Sequence, residues 1–533
     1  MEKTENKRKY LLALLFAACA GAFCAFFPRA TERNLIFIFA NIALACVCAF
    51  FLDLRYGISE RAIARRAVPL IVGIALVSLF TACIFSGYCA EWGWTRLAFA
   101  LILFGAYFLY AVICRLYDLC LPFLRSAVSH RRGLIAFGAA SACFLVLSIV
   151  LCASTNVFYR PFGEGDEGLR FDILFTSDTA NIYVNDAFLN MQNTQNDLRQ
   201  FWFPFLAMPF AVPAKLLSYV FFFVEDSYAI FLIWMQLNAL LGAALLFAAC
   251  LRLGSAEACA FSVLFFACFA QLFFGLVIEQ YIFPLFWTAL FALAYCNARR
   301  ETAALYAFGV GGFLTSGILL PFVYRSDMKW KGALKALGEI VFLGVSLFLL
   351  AGRLPTLRPD LLAEKLNDIF QFTGKDMTMG ETFSMFTHYV VYQFAAPQIV
   401  VSLEGFPAIA LPETSGVSVA GICILAAELF CFLASRREKL AWLGLFWIAF
   451  SALLLGVMGW GASENGMVLY ASYFCWAYLL LPCLALKQTF PNAERKRTVL
   501  FASLCGAAAV GLLAYNAAAL VEVMQFALQY YPA

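Results

Sequence analysis

Between Thr155 and about Pro213 the chain gathers the residues best suited to chemistry. Asp172 and Asp178 stand in the run Phe171 to Tyr183, and Asp197 and Arg199 follow in the run Asn196 to Pro204. A carboxylate just beyond the end of an apolar helix suits a general base. Partial desolvation raises a carboxyl group's affinity for a proton, and an adjoining bilayer would deliver a lipid substrate beside it. Asp178 is the first candidate and Asp172 the second. The plainer alternative is that Asp178 only caps a helix beginning at Thr179 and Asp172 is a solvated loop residue. Arg160, Arg170 and Arg199, with Arg353 and Arg358 from a second polar stretch, are suited to holding a phosphate or pyrophosphate by bidentate hydrogen bonds. Ordinary snorkelling at an interface would place them equally well, and Asp197 with Arg199 could form a local ion pair.

Further acidic side chains sit at other helix ends. Glu279 lies in the run Val277 to Tyr281, and Glu464 in the run Trp460 to Tyr470. Carboxylates there could orient sugar hydroxyls, anchor a metal, or stay solvated, and both are expected to face the same water layer as Asp178. Glu428 falls in the middle of the apolar run Ile422 to Leu433. An ionisable residue within a membrane segment is a functional candidate, although it could only hydrogen-bond to a neighbouring helix. His388 reads as structural and His130 as part of a solvated basic loop. With two histidines in the chain and no paired Cys/His spacing, no zinc site is expected.

The elements that must position these residues are apolar helices. Apolar residues make up 64% of the 533 and charged ones 13%, and the mean hydropathy is +0.84. Soluble domains carry roughly a quarter charged residues, so the composition predicts an all-α polytopic membrane protein. The runs are continuous and do not alternate, which excludes a β-barrel. Thirteen crossings are expected, over 10–28, 35–52, 68–87, 97–116, 134–153, 228–250, 257–276, 281–297, 338–352, 416–434, 440–458, 467–486 and 499–520. Residues 10–28 follow Lys7, Arg8 and Lys9 and imitate a signal peptide, but the helices after them favour a first membrane span. Two more apolar pieces, 201–224 with Pro204, Pro209 and Pro213, and 303–324 with several glycines and Pro321, read as broken, re-entrant or interfacial.

Basic residues orient the bundle. With a cytoplasmic N-terminus, most of the 37 basic residues fall in cytoplasmic segments, among them Arg55, Arg131, Arg132, Arg436 and Lys496. Two long loops, 154–227 and 353–415, then face outward from the cytoplasmic membrane. Each is expected to carry an interfacial helix. In the first, Ile182, Val184 and Phe188 would lie on the membrane surface; in the second, Phe383, Phe386, Tyr389, Tyr392 and Phe394 make an aromatic interfacial surface. The 19 cysteines sit almost wholly in apolar runs and read as small packing residues. The net charge of +4 gives no reason to expect nucleic acid. No repeat stands out.

Read together, a helix followed by a loop with Ser177, Asp178 and Tyr183, an interfacial helix, and then Asn196 to Arg199 running into Phe203-Pro-Phe-Leu and Met208-Pro-Phe resembles the first loop of the membrane glycosyltransferases of the C-type fold. Protein mannosyltransferases, aminoarabinose transferases and oligosaccharyltransferases belong to that superfamily. Glu279, and Glu464 to Tyr470, are similar to later landmarks of the same group. The likeness covers roughly 134–533 as the core, with 1–133 a four-helix transmembrane extension. It implies transfer of a sugar from a polyprenyl-phosphate carrier to a glycan, lipid or protein acceptor outside the cytoplasmic membrane, with inversion. Asp178 would be the base, with Asp172 beside it. Arg199, Arg353 and Arg160 would hold the donor phosphate, and Tyr183, Asp197, Glu279, Glu464 and Tyr470 would contact acceptor or sugar. The chain departs from the family in its four leading helices, in a single loop Asp in place of an Asp-Glu pair, and in lacking a sizeable C-terminal soluble domain. No cofactor is assigned, and a divalent metal is left open. A transporter or flippase of lipid-linked sugars and a surface polysaccharide polymerase or ligase are the alternatives. The first would use Glu428 near the bilayer midplane but calls for internal repeats; the second would rest on outward arginines.

Overall fold

A computed structural model of the chain describes residues 131–158, 173–184, 203–222, 228–251, 253–297, 363–364, 367, 370, 372–403, 407–413, 416–462, 466–489 and 494–533. They all belong to one compact unit of the chain. The expected helices 10–28, 35–52, 68–87, 97–116 and 338–352, and the glycine-rich piece 303–324, lie outside the described residues.

Twelve helices are described: α1 (Arg131–Ser154), α2 (Thr179–Val184), α3 (Phe203–Phe222), α4 (Tyr228–Cys250), α5 (Ser255–Ala267), α6 (Phe269–Leu276), α7 (Ile282–Asn297), α8 (Met379–Tyr392), α9 (Val419–Ser435), α10 (Lys439–Ser451), α11 (Ala471–Thr489) and α12 (Glu494–Tyr530). A π-turn (Ala452–Val457) extends α10 and a 3-10 turn (Gly466–Tyr470) leads into α11. Among the described residues, four helical stretches are long and apolar enough to cross a membrane: Tyr228–Cys250, Lys439–Val457, Gly466–Thr489 and Thr498–Tyr530. A bent pair, Ala256–Ala267 with Phe269–Leu276, makes a fifth if the two count as one span. α4 packs between α7, α3, α5 and α1, while α11 packs on α9 and α10 and α5 lies along α12. The core is aromatic: Trp447, Trp476, Tyr473 and Phe247 are all buried, with Phe247 stacked on Trp476 at 5.1 Å. The described cysteines are free thiols.

Hydrogen bonds distinguish the two ends of this bundle. At one, Lys487 Nζ donates to the Leu251 carbonyl at 2.7 Å and Gln488 to the Glu438 carboxylate at 2.7 Å. At the other, Asn156 N–H donates to the Tyr531 carbonyl, and the Tyr531 hydroxyl to Pro407. Ile409 N–H donates to Ile173 and Phe175 N–H to Ile409. Arg131 and Ser154 are separated by α1, about 36 Å of helix at 1.5 Å per residue. The loop containing Asp178 therefore sits at the Ser154 end, opposite Arg131 and Arg132.

Three expectations need correction. Residues 257–276 are not one straight helix but bend by 70° at Cys268, whose backbone is extended (ψ 137). The N–H groups freed there are taken up by protein: Phe269 donates to the Phe394 carbonyl at 2.9 Å and Ala270 to Gln393 at 3.3 Å. Asn516, buried on α12, donates to the carbonyls of Ala267 and Phe394 and accepts from Ala396 N–H. Irregular backbone deep in an apolar bundle persists only with such partners. Conversely, the described part of 201–224, residues 203–222, shows no break at its prolines. α3 runs continuously through Pro209 and Pro213, since apolar surroundings offer the rest of its backbone no competing partner. Its two ends pack on the first turns of α7 and α4, through Phe203 on Phe283 and Phe221 on Phe231. Finally, the presumed interfacial faces are partly core. Ile182 of α2 is buried, and so are Phe386 and Tyr389, the latter two because α8 packs against α9 and the π-turn; Phe383 stays exposed.

α8 begins with a capping box. Thr378 Oγ1 accepts from Glu381 N–H, and Thr378 N–H donates to the Glu381 carboxylate at 2.7 Å, which holds that carboxyl below its usual range. Beyond α8 the loop holds an antiparallel hairpin, β1 (Val400–Ser402) with β2 (Ala408–Ala410), in the register Val401 opposite Ile409. Hydropathy alone did not call for it.

Candidate active site

The turn before Asp178 is anchored in the core and strained. Ile173, Leu174 and Phe175 are buried. Leu174 forms a parallel bridge to Ile409 of β2, and the Phe175 ring packs edge-on against Phe273 at 5.1 Å. Phe175 and Thr176 have φ of 52° and 59°. Left-handed backbone costs a non-glycine residue roughly 1–2 kcal/mol, and a β-branched one adopts it rarely. Ser177 N–H closes the turn onto the Leu174 carbonyl at 3.0 Å. The Asp178 carbonyl then accepts from Ile182 N–H at 2.9 Å and starts α2. Thr179 Oγ1 ties α2 to the Ile278 carbonyl at 3.1 Å.

That tie brings the α6–α7 connection beneath Asp178. Gln280 Nε2 donates to Asp178 Oδ2 at 3.2 Å, and Gln280 N–H donates to Glu279 Oε1 at 2.7 Å. From α4, Gln236 Nε2 donates to the Glu279 carbonyl at 3.1 Å. One glutamine thus links two carboxylates in different settings: Asp178 is half-buried, Glu279 wholly buried. A third segment closes the group. The Tyr281 ring lies 4.9 Å from that of Tyr470, whose hydroxyl accepts from Trp460 Nε1 at 2.6 Å and whose carbonyl accepts from the Tyr389 hydroxyl at 3.3 Å. The backbone of Gly466 approaches Thr176 so closely that a Cβ there would meet Thr176 Oγ1 at 2.9 Å. The positive φ of Gly461 (76°) lets the chain turn back over this point.

Of the residues expected to do chemistry, Asp178, Glu279 and Tyr470 converge on these three segments. Tyr183 is nearby, but its ring stacks on Tyr228 at 5.1 Å and its carbonyl accepts from the Tyr228 hydroxyl. Glu279 does not share Asp178's water layer: it is 0% exposed, enclosed by α4 and by the turn that carries it. Asp172, Arg160, Arg199, Arg353, Asp197 and Glu464 lie outside the described residues. Sequence reasoning missed Gln280, Gln236, Thr176 and Trp460. The neighbouring polar pair Glu279 and Gln280 between two apolar helices was the available signal for the first.

Chemically, the arrangement offers a carboxylate reachable from water, one of its oxygens oriented by a buried carboxamide, beside an aromatic wall and a buried second carboxylate. Among the described residues no group of three or more His, Cys, Asp or Glu side chains is placed to hold a metal ion. His388 Nε2 lies 3.2 Å from the Gly416 carbonyl, a structural contact at the foot of α9. Comparison of the chain with protein families, with curated proteins and with solved structures finds no match.

Proposed function

We propose that the protein is a membrane glycosyltransferase of the C-type kind, moving a sugar from a polyprenyl-phosphate carrier to an acceptor at the extracytoplasmic face of the cytoplasmic membrane. Asp178 would take the proton from the acceptor hydroxyl. The acceptor oxygen then forms a bond to the anomeric carbon as the bond from that carbon to the phosphate oxygen breaks, and polyprenyl phosphate leaves with inversion. Gln280 would keep Asp178 turned toward the acceptor, while Tyr470, expected from the sequence to contact sugar, is buried with Tyr281 and would support the floor of the site. Arg199, Arg353 and Arg160 remain the expected holders of the donor phosphate, with Asp172, Asp197 and Glu464 as further sugar or acceptor contacts.

The observation that carries this reading is the setting of Asp178. It is half-exposed on a strained turn and held by a buried glutamine, at the end of an apolar bundle remote from Arg131. Strain of this kind persists where surrounding structure over-determines it, and it clusters at functional sites. A lipid-borne donor also explains why a transferase would be built almost wholly of apolar helices.

The test is Asp178→Asn in native membranes supplied with polyprenyl-phosphate sugars and a panel of acceptors. Transfer should fall by about 10²–10⁴, the usual contribution of a general base, while the thermal unfolding temperature stays put. Undiminished transfer would remove Asp178 from this role. A second reading, a transporter or flippase, draws on Glu428, buried midway along α9. Movement of lipid-linked sugar across closed vesicles without any transfer product would favour it.

A further inference from the structure

Glu428 is the tenth residue of the seventeen in α9. It lies on the one stripe of that helix that faces the bundle, with Gly421, Phe432 and Ser435, while Leu429, Phe430 and Leu433 are exposed. Glu428 is 5% exposed and its Oε2 has no hydrogen-bond partner. The alternative read from the sequence, a carboxyl satisfied by a neighbouring helix, is therefore not met at this oxygen. The helices packed on this face carry further polar groups: the Tyr478 hydroxyl of α11, within electrostatic range of Glu428, shares a 3.1 Å hydrogen bond with Ser451 Oγ of α10. The Gln393 side chain, beyond the end of α8, also lies against Tyr478. It is 0% exposed, and neither its Nε2 nor its Oε1 forms a well-aligned hydrogen bond. The titratable groups facing Glu428 are Cys431 on its own helix and Cys475, Tyr478 and Cys483 on α11. α8 and α10, the other helices packed on α9, bring the uncharged Gln393 and Ser451 to this group. Among the described residues, no cation stands beside Glu428.

An ionised carboxylate this deep, without a cation and with an oxygen unbonded, is costly by several kcal/mol, and such a group takes up a proton instead. A merely structural acid would be expected to donate to a fixed acceptor. Here, the Glu428 carboxyl and the Gln393 carboxamide are both short of partners, as in a site that accommodates something more. We propose that Glu428, Tyr478, Ser451 and Gln393 form an intramembrane proton-binding site, in which Glu428 takes an exchangeable proton from water, separate from the Asp178 end and independent of whether that end transfers sugar.

The full-length protein in lipid nanodiscs, treated with N,N′-dicyclohexylcarbodiimide and digested for mass spectrometry, tests this. A protonated carboxyl adds across the reagent's C=N bond and rearranges to a stable N-acylurea. The adduct is expected on Glu428 at neutral pH, to diminish as pH rises, and to be absent from the exposed Glu381 and Glu413. Equal labelling of those two, or a lack of pH dependence, would overturn the proposal. Protection by sodium would identify a metal cation as the ligand and overturn the proton. Infrared spectroscopy covers the case in which the reagent cannot enter. The wild-type protein should show a protonated-carboxyl band that shifts in D2O and vanishes in Glu428→Gln; no such band, or one that ignores D2O, rejects the site. The melting temperature of Glu428→Gln, close to that of the wild type, separates loss of the proton from loss of the fold.

Discussion

The two ends of the bundle are built differently. Where α4 meets α5 and α9 meets α10, the links are short and hydrogen-bonded: Gly254 N–H donates to Glu257, Lys487 closes on Leu251, and Gln488 on Glu438. At the opposite end the chain is irregular. Two left-handed non-glycine residues, a hairpin, a 3-10 turn and a buried Glu–Gln pair are packed within a few side chains of one another. Turns that only return the chain need no strain, so left-handed non-glycine backbone found, among the described residues, at one end alone marks the end with work to do. The difference also separates two kinds of carboxyl. Asp178 is oriented by a donor and reached by water, whereas Glu428 is sealed in the bundle with an oxygen to spare.

The largest effect expected of a single change belongs to the crossing that supports the irregular end. A Cβ on Gly421 would overlap the Thr387 carbonyl, so α8 and α9 would have to separate. Gly421→Val should cost about 3 kcal/mol in unfolding experiments. Gly506→Ala, at a position open to its surroundings, should cost nothing and gain slightly from helix propensity. Similar costs for both would mean that the crossing is not held closely. Next comes the bend at Cys268. Asn516→Leu removes three hydrogen bonds at once and should cost about 2–3 kcal/mol. Hydrogen exchange should rise at Ala396, whose N–H loses its partner; unchanged exchange there would show that the bend does not depend on Asn516.

Strain at the irregular end is tested by Thr176→Gly. Relief of left-handed backbone is expected to raise stability by about 1 kcal/mol while lowering sugar transfer, because Asp178 is then less firmly placed. Raised stability with unchanged transfer would make the strain incidental. At the regular end, Lys487→Met should cost at most about 1 kcal/mol and leave transfer alone; a large loss of transfer there would erase the distinction between the ends.

Much of the scaffold was legible in the amino-acid order. α1, α4, α7, α9, α10 with its π-turn, and α11 begin and end within a few residues of the apolar runs, because hydropathy sums local contributions and a membrane span needs only about 20 of them. The separation of Asp178 from Arg131 follows from the same reading: one long helix lies between them. Ser177 and Asp178 signalled the start of α2, and Glu279 and Tyr470 were drawn toward Asp178 by their positions at helix ends. The start of α8 was also written locally, in the Thr378 and Glu381 pair.

What the sequence could not determine depended on partners far along the chain. No glycine or proline marks Cys268, and the bend there is held by Asn516, which lies 249 residues beyond Ala267. Pro209 and Pro213 promised a break that the surroundings of α3 did not permit. Glu279 reads as a solvated helix-end carboxylate until Gln236 and α4 enclose it, and Gln280 acquires its meaning only on meeting Asp178, 102 residues earlier. Hydropathy and capping are settled within a few residues. Burial of a polar group, and the hydrogen bonds that make irregular backbone tolerable in an apolar interior, are settled by whichever distant segment arrives beside it.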